Sequence, residues 1–253
     1  MPTPGTLGMI ISSSGAGDPT LIPRTCSGVA WTGSAACQTV TGCPWRSTPR
    51  STTLTPSTTC WGTRPSGGTP WTISWGGLRC GKELGSEYVL ISVGHGGDRP
   101  PQKRKDRLLS SLRRLTAEAE ALEQKIILET LTPFESNTCT RLEELLEVLD
   151  TISSPMLLGM CDVVVPFVQG EDPADYPLRL GDRMAHLHLV DSDGGSETHL
   201  LPGEGRMDLR TLLYRFREAG YDGRATLELV THYISDPSGA ARTALEQAKE
   251  LLL

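Results

Sequence analysis

Apolar periodicity, the main sequence determinant of secondary structure, is confined in this chain to the residues beyond about position 80. Residues 1–79 hold one acidic side chain (Asp18) and no lysine, against 26 Ser or Thr and all five tryptophans; five of the seven cysteines fall by position 80. Stretches such as SSSGAG, RSTPRSTTLTPSTT and RPSGGTP have the composition of turns or disorder. Such a segment does not readily supply strands and helices to a core. From Lys82 onward ordinary globular usage resumes with 29 acidic and 19 basic residues, so this part is more acidic than the whole-chain net charge of −6 implies.

Conventional explanations of the first segment fail. A secretory leader needs a basic start and a longer apolar core than LGMII at residues 7–11. A disulfide module is opposed by the odd count of Cys26, Cys37, Cys43, Cys60 and Cys80, and zinc by the lack of any Cys-x-x-Cys pair. A Ser/Thr/Pro-rich stalk does not usually carry five tryptophans. We read residues 1–80 as an irregular segment that is frame-shifted or disordered, and the genetic code favours the first. When each codon is rebuilt from the last base of one apparent codon and the first two of the next, Cys60-Trp61 becomes leucine, Trp61-Gly62 glycine and Trp71-Thr72 aspartate. Neighbouring codons allow Met-Leu-Gly-Asp-Glu-x-x-Arg-Arg-x-x-Leu-Asp, which suits the entry of a helix as the translated residues do not.

Residues 81–253 read as α/β. The runs YVLIS (88–92), IILE (126–129), MLLGMCD (156–162), MAHLHLVD (184–191) and ATLELV (225–230) alternate with helical or turn-rich sequence. Leu108, Leu109, Leu112, Leu115, Ala119 and Leu122 form one stripe of a long amphipathic helix. Thr140-x-x-Glu143 reads as a capping box, Asp208 as the cap of DLRTLLYRFREA, Gly220 as its stop, and ARTALEQAKELLL as a closing outer helix. Repeated βα units predict a parallel (β/α)8 barrel. Five strands, around 88–92, 126–129, 157–161, 185–189 and 225–229, leave three to come from the irregular region, so the barrel is expected to be incomplete.

Four ionisable side chains sit at or beside the ends of these runs: Glu129, Asp162, His188 and Glu228, spaced by 33, 26 and 40 residues. A parallel barrel gathers strand C-termini at one mouth, where two glutamates, an aspartate and a histidine can hold a divalent metal. A single carboxylate at a strand end is more often solvated or structurally paired, by roughly two to one; four in register are harder to explain so. In His-Leu-His the side chains of His186 and His188 share a face, so one can ligate and the other pack.

Other signals are weaker. Lys103, Arg104, Lys105 and Arg107 read as a solvated helix start, roughly three times likelier than a nucleic-acid patch, because no aromatic residues interleave them and the surroundings are acidic. Gly94, Gly96 and Gly97 lack dinucleotide or Walker spacing. No uninterrupted apolar stretch approaches the length of a membrane span. Nucleic-acid and membrane partners are therefore not expected.

ILETLTPFESN (127–137), HLHLVDSDG (186–194), THLLPGEGRMDLR (198–210) and TLELVTHYISDP (226–237) together resemble the fructoselysine 3-epimerases, in the tagatose/psicose 3-epimerase branch of xylose-isomerase-like TIM barrels. The resemblance covers about residues 80 to 253, and the frame-shifted reconstruction is similar to the same family. It implies a divalent-metal-dependent epimerisation of a ketose or ketoamine sugar at C3, of the fructoselysine to psicoselysine type, through an enediolate. Glu129 and Glu228 match the family's paired metal-binding acid/base glutamates, and Asp162 and His188 the remaining ligands. Mn, Co, Ni or Mg would serve. Glu135 matches a glutamate near the reacting oxygens, His199 falls where the branch often has an arginine before a PGxG turn, and His95 follows YVLIS at the mouth; all three are candidate substrate contacts. Val165 stands where a histidine is common, which fits the fructoselysine subgroup, and Thr130 replaces a usual proline. The resemblance also implies a small sugar or fructosamine substrate, a cytoplasmic location, and a homo-oligomer if the full barrel is present. A related sugar isomerase, an endonuclease-IV-like hydrolase, and an inactive barrel fragment or interaction module are the alternatives.

Overall fold

Each apolar run beyond residue 80 is a strand in the computed structural model, which describes residues 9–13, 77–79 and 81–251. The strands are β1 (Met9–Ser13), β2 (Tyr88–Ser92), β3 (Lys125–Glu129), β4 (Leu157–Asp162), β5 (Met184–His188) and β6 (Arg224–Leu229). The helices are α1 (Pro101–Leu122), α2 (Leu142–Ile152), α3 (Val164–Val168), α4 (Asp175–Leu180), α5 (Leu209–Glu218) and α6 (Pro237–Leu251). Strand order is β1-β6-β5-β4-β3-β2, and β1 with β6, β6 with β5, β4 with β3 and β3 with β2 pair in parallel. From β2 to β6 every strand lies beside its chain neighbour, while β1 lies beside the last strand, the topology of a parallel barrel.

Within the segment read above as irregular, residues 9–13 form the strand β1. LGMII, judged above only as a leader core, contributes three of the five residues of a strand whose register runs Met9↔Ala225 to Ser13↔Leu229. Two β-branched isoleucines suit it to pairing with a buried parallel neighbour. Six strands are thus present among the described residues where five were expected. The tryptophans and the cysteines up to Cys80 lie outside the described residues.

By contacts the described chain forms two units, one running from residue 77 to Gly159 and the other comprising β1 and the chain from Met160 onward. In the first, β2 and β3 pair from Tyr88↔Lys125 to Ser92↔Glu129. Pro100 and Pro101 open α1, since the first turn needs no N–H donor there. Its stripe Leu108, Leu109, Leu112, Leu115 and Ala119 is buried, and each fully buried leucine contributes about 2 kcal/mol relative to an exposed one. The capping box lies one residue later than expected: α2 begins at Leu142, and it is the Glu144 carboxylate that accepts from Thr140 N at 2.7 Å and Arg141 N at 3.2 Å. The sequence pattern pairs Thr140 with Glu143, whereas Glu144 stands three residues after the observed cap, Arg141, so the backbone and not the pattern selects it.

In the second unit β6 runs between β1 and β5. α5 buries Leu209, Leu212, Leu213 and Phe216. As expected, Asp208 caps it, accepting from Thr211 N at 3.1 Å, and Gly220 stops it with φ +86°. The closing helix α6 buries Ala240, Ala244 and Ala248, a stripe of small residues that permits close approach. No described helix is long and apolar enough to cross a membrane.

Candidate metal centre

The register of β5 and β6 stacks polar side chains in two layers. His186 pairs with Arg224 and His188 with Thr226, and side chains two apart on a strand share a face. In the lower layer His186 Nε2 is 2.7 Å from Thr226 Oγ1. Above it, His188 Nδ1 faces two carboxylate oxygens at once, Glu228 Oε2 at 2.9 Å and Asp162 Oδ2 at 3.5 Å. The two imidazoles meet edge to face at 5.4 Å. Asp162 ends β4, where the Val164 N–H donates to its other oxygen at 2.9 Å and fixes the rotamer.

His199 arrives from the long loop after β5. Asp191 organises that loop: its Oδ1 accepts from Ser192 N and Met207 N at 2.8 and 3.0 Å, and its Oδ2 from Gly203 N at 2.9 Å. Asp191 and Leu200 also exchange a backbone pair at 2.9 Å each way. His199, one residue from that bridge, is held inward. Its Nδ1 lies 3.0 Å from the Glu228 carbonyl, which can only accept, so this nitrogen carries the proton. Its Nε2 lies 3.6 Å from Asp162 Oδ2 and 3.8 Å from Glu197 Oε1.

Electrostatics keep the carboxylates ionised. Burial alone would raise the pKa of Asp162, but the neighbouring His199 and His188, with the Val164 N–H, hold it below the usual range. Glu228 is lowered in the same way, burial being outweighed first by His188. Burial works against protonation of His199, yet Asp162 and Glu228 raise its pKa. His186, buried and beside His188, is pushed down to about 3 and is neutral.

One ligand atom from each of Glu129, Asp162, His188 and Glu228 lies within 4.8 Å of the others. Glu129 ends β3 and is buried. The set therefore contains the four strand-end residues picked out in the sequence. Three carboxylates and one imidazole suit a hard or borderline divalent ion such as Mn, Mg or Co. Of the candidate substrate contacts, His199 belongs to this cluster through Asp162. His95 is exposed on the loop after β2, accepting from Gly97 N at 3.0 Å, and Glu135 is exposed on the loop after β3. Sequence reasoning missed Glu197 and Asp191. Asp191 closes the run MAHLHLVD, which gives no sign that it organises a loop, and Glu197 sits in no periodic run; only its i−2 spacing from His199 could have pointed to it.

Comparison with known proteins agrees with this topology. Residues 77–251 match the family model described as xylose isomerase-like TIM barrel. The chain is 44% identical over 172 residues to a fructoselysine 3-epimerase of Shigella flexneri, covering 68% of this chain and 62% of that protein. Against a D-psicose 3-epimerase of Enterocloster bolteae it is 29% identical over 122 residues, 48% of this chain and 39% of that one. A crystal structure of a D-tagatose 3-epimerase-like protein superposes with a TM-score of 0.64 at 25% identity, over 72% of this chain and 68% of the other. The chain thus spans less than two thirds of the length of the fructoselysine 3-epimerase it matches. The match over residues 77–251, together with the parallel strand order, shows that the chain belongs to the xylose isomerase-like TIM barrel family.

Proposed function

We propose that this protein is a divalent-metal-dependent sugar 3-epimerase that acts on a ketose or ketoamine of the fructoselysine type. What carries the reading is the donor set itself: two glutamates, an aspartate and a histidine whose ligand atoms lie within 4.8 Å of one another. The similarity to fructoselysine and psicose 3-epimerases supports the same reaction class.

Glu129, Asp162, His188 and Glu228 would hold the ion. A bound divalent cation supplies charge stabilisation for the enediolate that forms when the C3 proton leaves. The proton itself is the work of the glutamates. One carboxylate removes it from one face of C3, and the other returns a proton to the opposite face, which inverts the centre. The lowered pKa of Glu228 leaves it ionised and able to accept. Asp162 and His188 orient the set, each fixed by its place at a strand end, and His199 bounds the centre on the loop side.

The reading is tested by incubating the Mn-loaded protein with fructoselysine in deuterated water and following the C3 proton by NMR. Exchange at C3 with growth of the second epimer is expected. Glu129→Gln and Glu228→Gln should each slow exchange by at least about a hundredfold, the usual worth of a positioned acid/base. Normal exchange in either variant would remove the two-glutamate mechanism.

A further inference from the structure

The loop that brings His199 into the centre carries a second ionisable group to which the two-glutamate chemistry gives no part. Glu197 Oε1 lies 3.8 Å from His199 Nε2, and the Glu197 side chain is 32% exposed where that of His199 is 5%. Glu197 is thus the carboxylate on the solvent side of this cluster. Its place is set from both flanks. Ser196 N donates to Asp193 Oδ1 at 2.9 Å, and Ser196 Oγ shares a hydrogen bond of 2.7 Å with Thr198 Oγ1. Two residues on, Leu200 is bridged to Asp191. A carboxylate carried on a braced loop beside a reaction centre acts on whatever charge the substrate presents there.

The sign of that action selects among substrates. Glu129, Asp162 and Glu228 already exceed the charge of one divalent cation, so Glu197 adds further negative potential where an enediolate must develop. For a neutral ketose this is a cost. In a ketoamine, C1 bears a secondary amine that is protonated at neutral pH, its nitrogen two bonds from the carbonyl carbon C2 and three from C3. A carboxylate facing that ammonium becomes an attractive, charge-assisted partner.

We propose that Glu197 is the specificity residue for a cationic 1-amino-1-deoxy-ketose, accepting from its C1 ammonium. This rests on the epimerase reading above and narrows its substrate class. The test uses Mn-loaded full chain and two probes of equal size, 1-propylamino-1-deoxyfructose, which is cationic, and 1-O-propylfructose, which is neutral. Calorimetry should show the wild type binding the amine at least about tenfold more tightly than the ether. Glu197→Gln should bind both within about twofold, Glu197→Asp should keep the preference, and the Mn affinity of the metal-free proteins should be the same in all three. Three results would each overturn the inference: no preference in the wild type, a preference that survives in Glu197→Gln, or a loss of Mn affinity matching the loss of amine binding. Preferential binding of the amine with no C3 exchange would refute the epimerase reading while leaving this recognition intact.

Discussion

His186 occupies the layer beneath His188, 3% exposed and hydrogen-bonded to Thr226. Its folded pKa of about 3 lies below the ordinary 6.5. The neutral ring is thus tolerated by the fold and the charged ring is not. The associated stability is complete above pH 6.5 and is lost as pH falls toward 3, at up to about 1.4 kcal/mol per pH unit. His199 has the opposite sign. Its raised pKa gives stability that is complete below 6.5 and is lost as pH rises through the folded value. Comparing wild type with His186→Asn in metal-free protein isolates the first effect. Urea unfolding between pH 7 and 5 should show wild-type stability falling more steeply than that of the variant; equal slopes would mean that His186 titrates normally. At this scale the sequence was most informative where a residue sits on a strand. Glu129, Asp162, His188 and Glu228 could be found because strand ends fix where side chains go. Glu197 could not, because the bonds that place its loop join Asp191 to residues 9 to 16 positions away.

At the scale of elements, that loop and helix α5 make a useful contrast. Gly205 has no room for a side chain: a Cβ there would meet Asp191 Oδ1 at 2.2 Å and the Ser192 carbonyl oxygen at 2.5 Å. Gly205→Ala must therefore push aside the carboxylate that organises the loop, at a cost of about 2 kcal/mol, and should weaken Mn and sugar binding by shifting His199 and Glu197. Asp208→Ala removes only a helix cap and should cost about 1 kcal/mol, leaving Mn affinity unchanged. Calorimetric titration of Mn beside thermal melts checks both; a Gly205→Ala protein with normal Mn affinity would show that the loop does not position the centre. The element boundaries follow the same logic. All five strands beyond residue 80 match their expected bounds to within one residue, since burial on both faces of a parallel strand leaves a continuous signature. The start of α2 was misplaced by one residue because two adjacent glutamates offer the same capping chemistry.

For the whole molecule, the decisive observation is the pairing of β1 with β6 along the full length of β1. In a parallel barrel of eight strands the first and last are neighbours, and here β1 and the five strands from β2 to β6 supply six such strands among the described residues. An eight-stranded barrel would need two more βα units, which in chain order would fall in the interval between residues 13 and 77. That is the interval whose composition departs from the rest of the chain and whose shifted codons yield a helix-like sequence. We propose that these units were lost to a frame change before about codon 80 paired with another upstream, which the retained β1 would put after codon 13. Resequencing the coding DNA over this interval should find both. A gene with the intervening codons read in the shifted frame should encode a chain that unfolds cooperatively at higher temperature than the present one. Mn should raise that Tm further, since a ligand at a hundred times its Kd adds about 2.7 kcal/mol to the folded state. Confirmation of the present reading frame, with a shifted-frame chain no more stable and no better at binding Mn, would mean that this chain lacks those two units; the four candidate ligands, which all lie beyond residue 80, would then have to act without them.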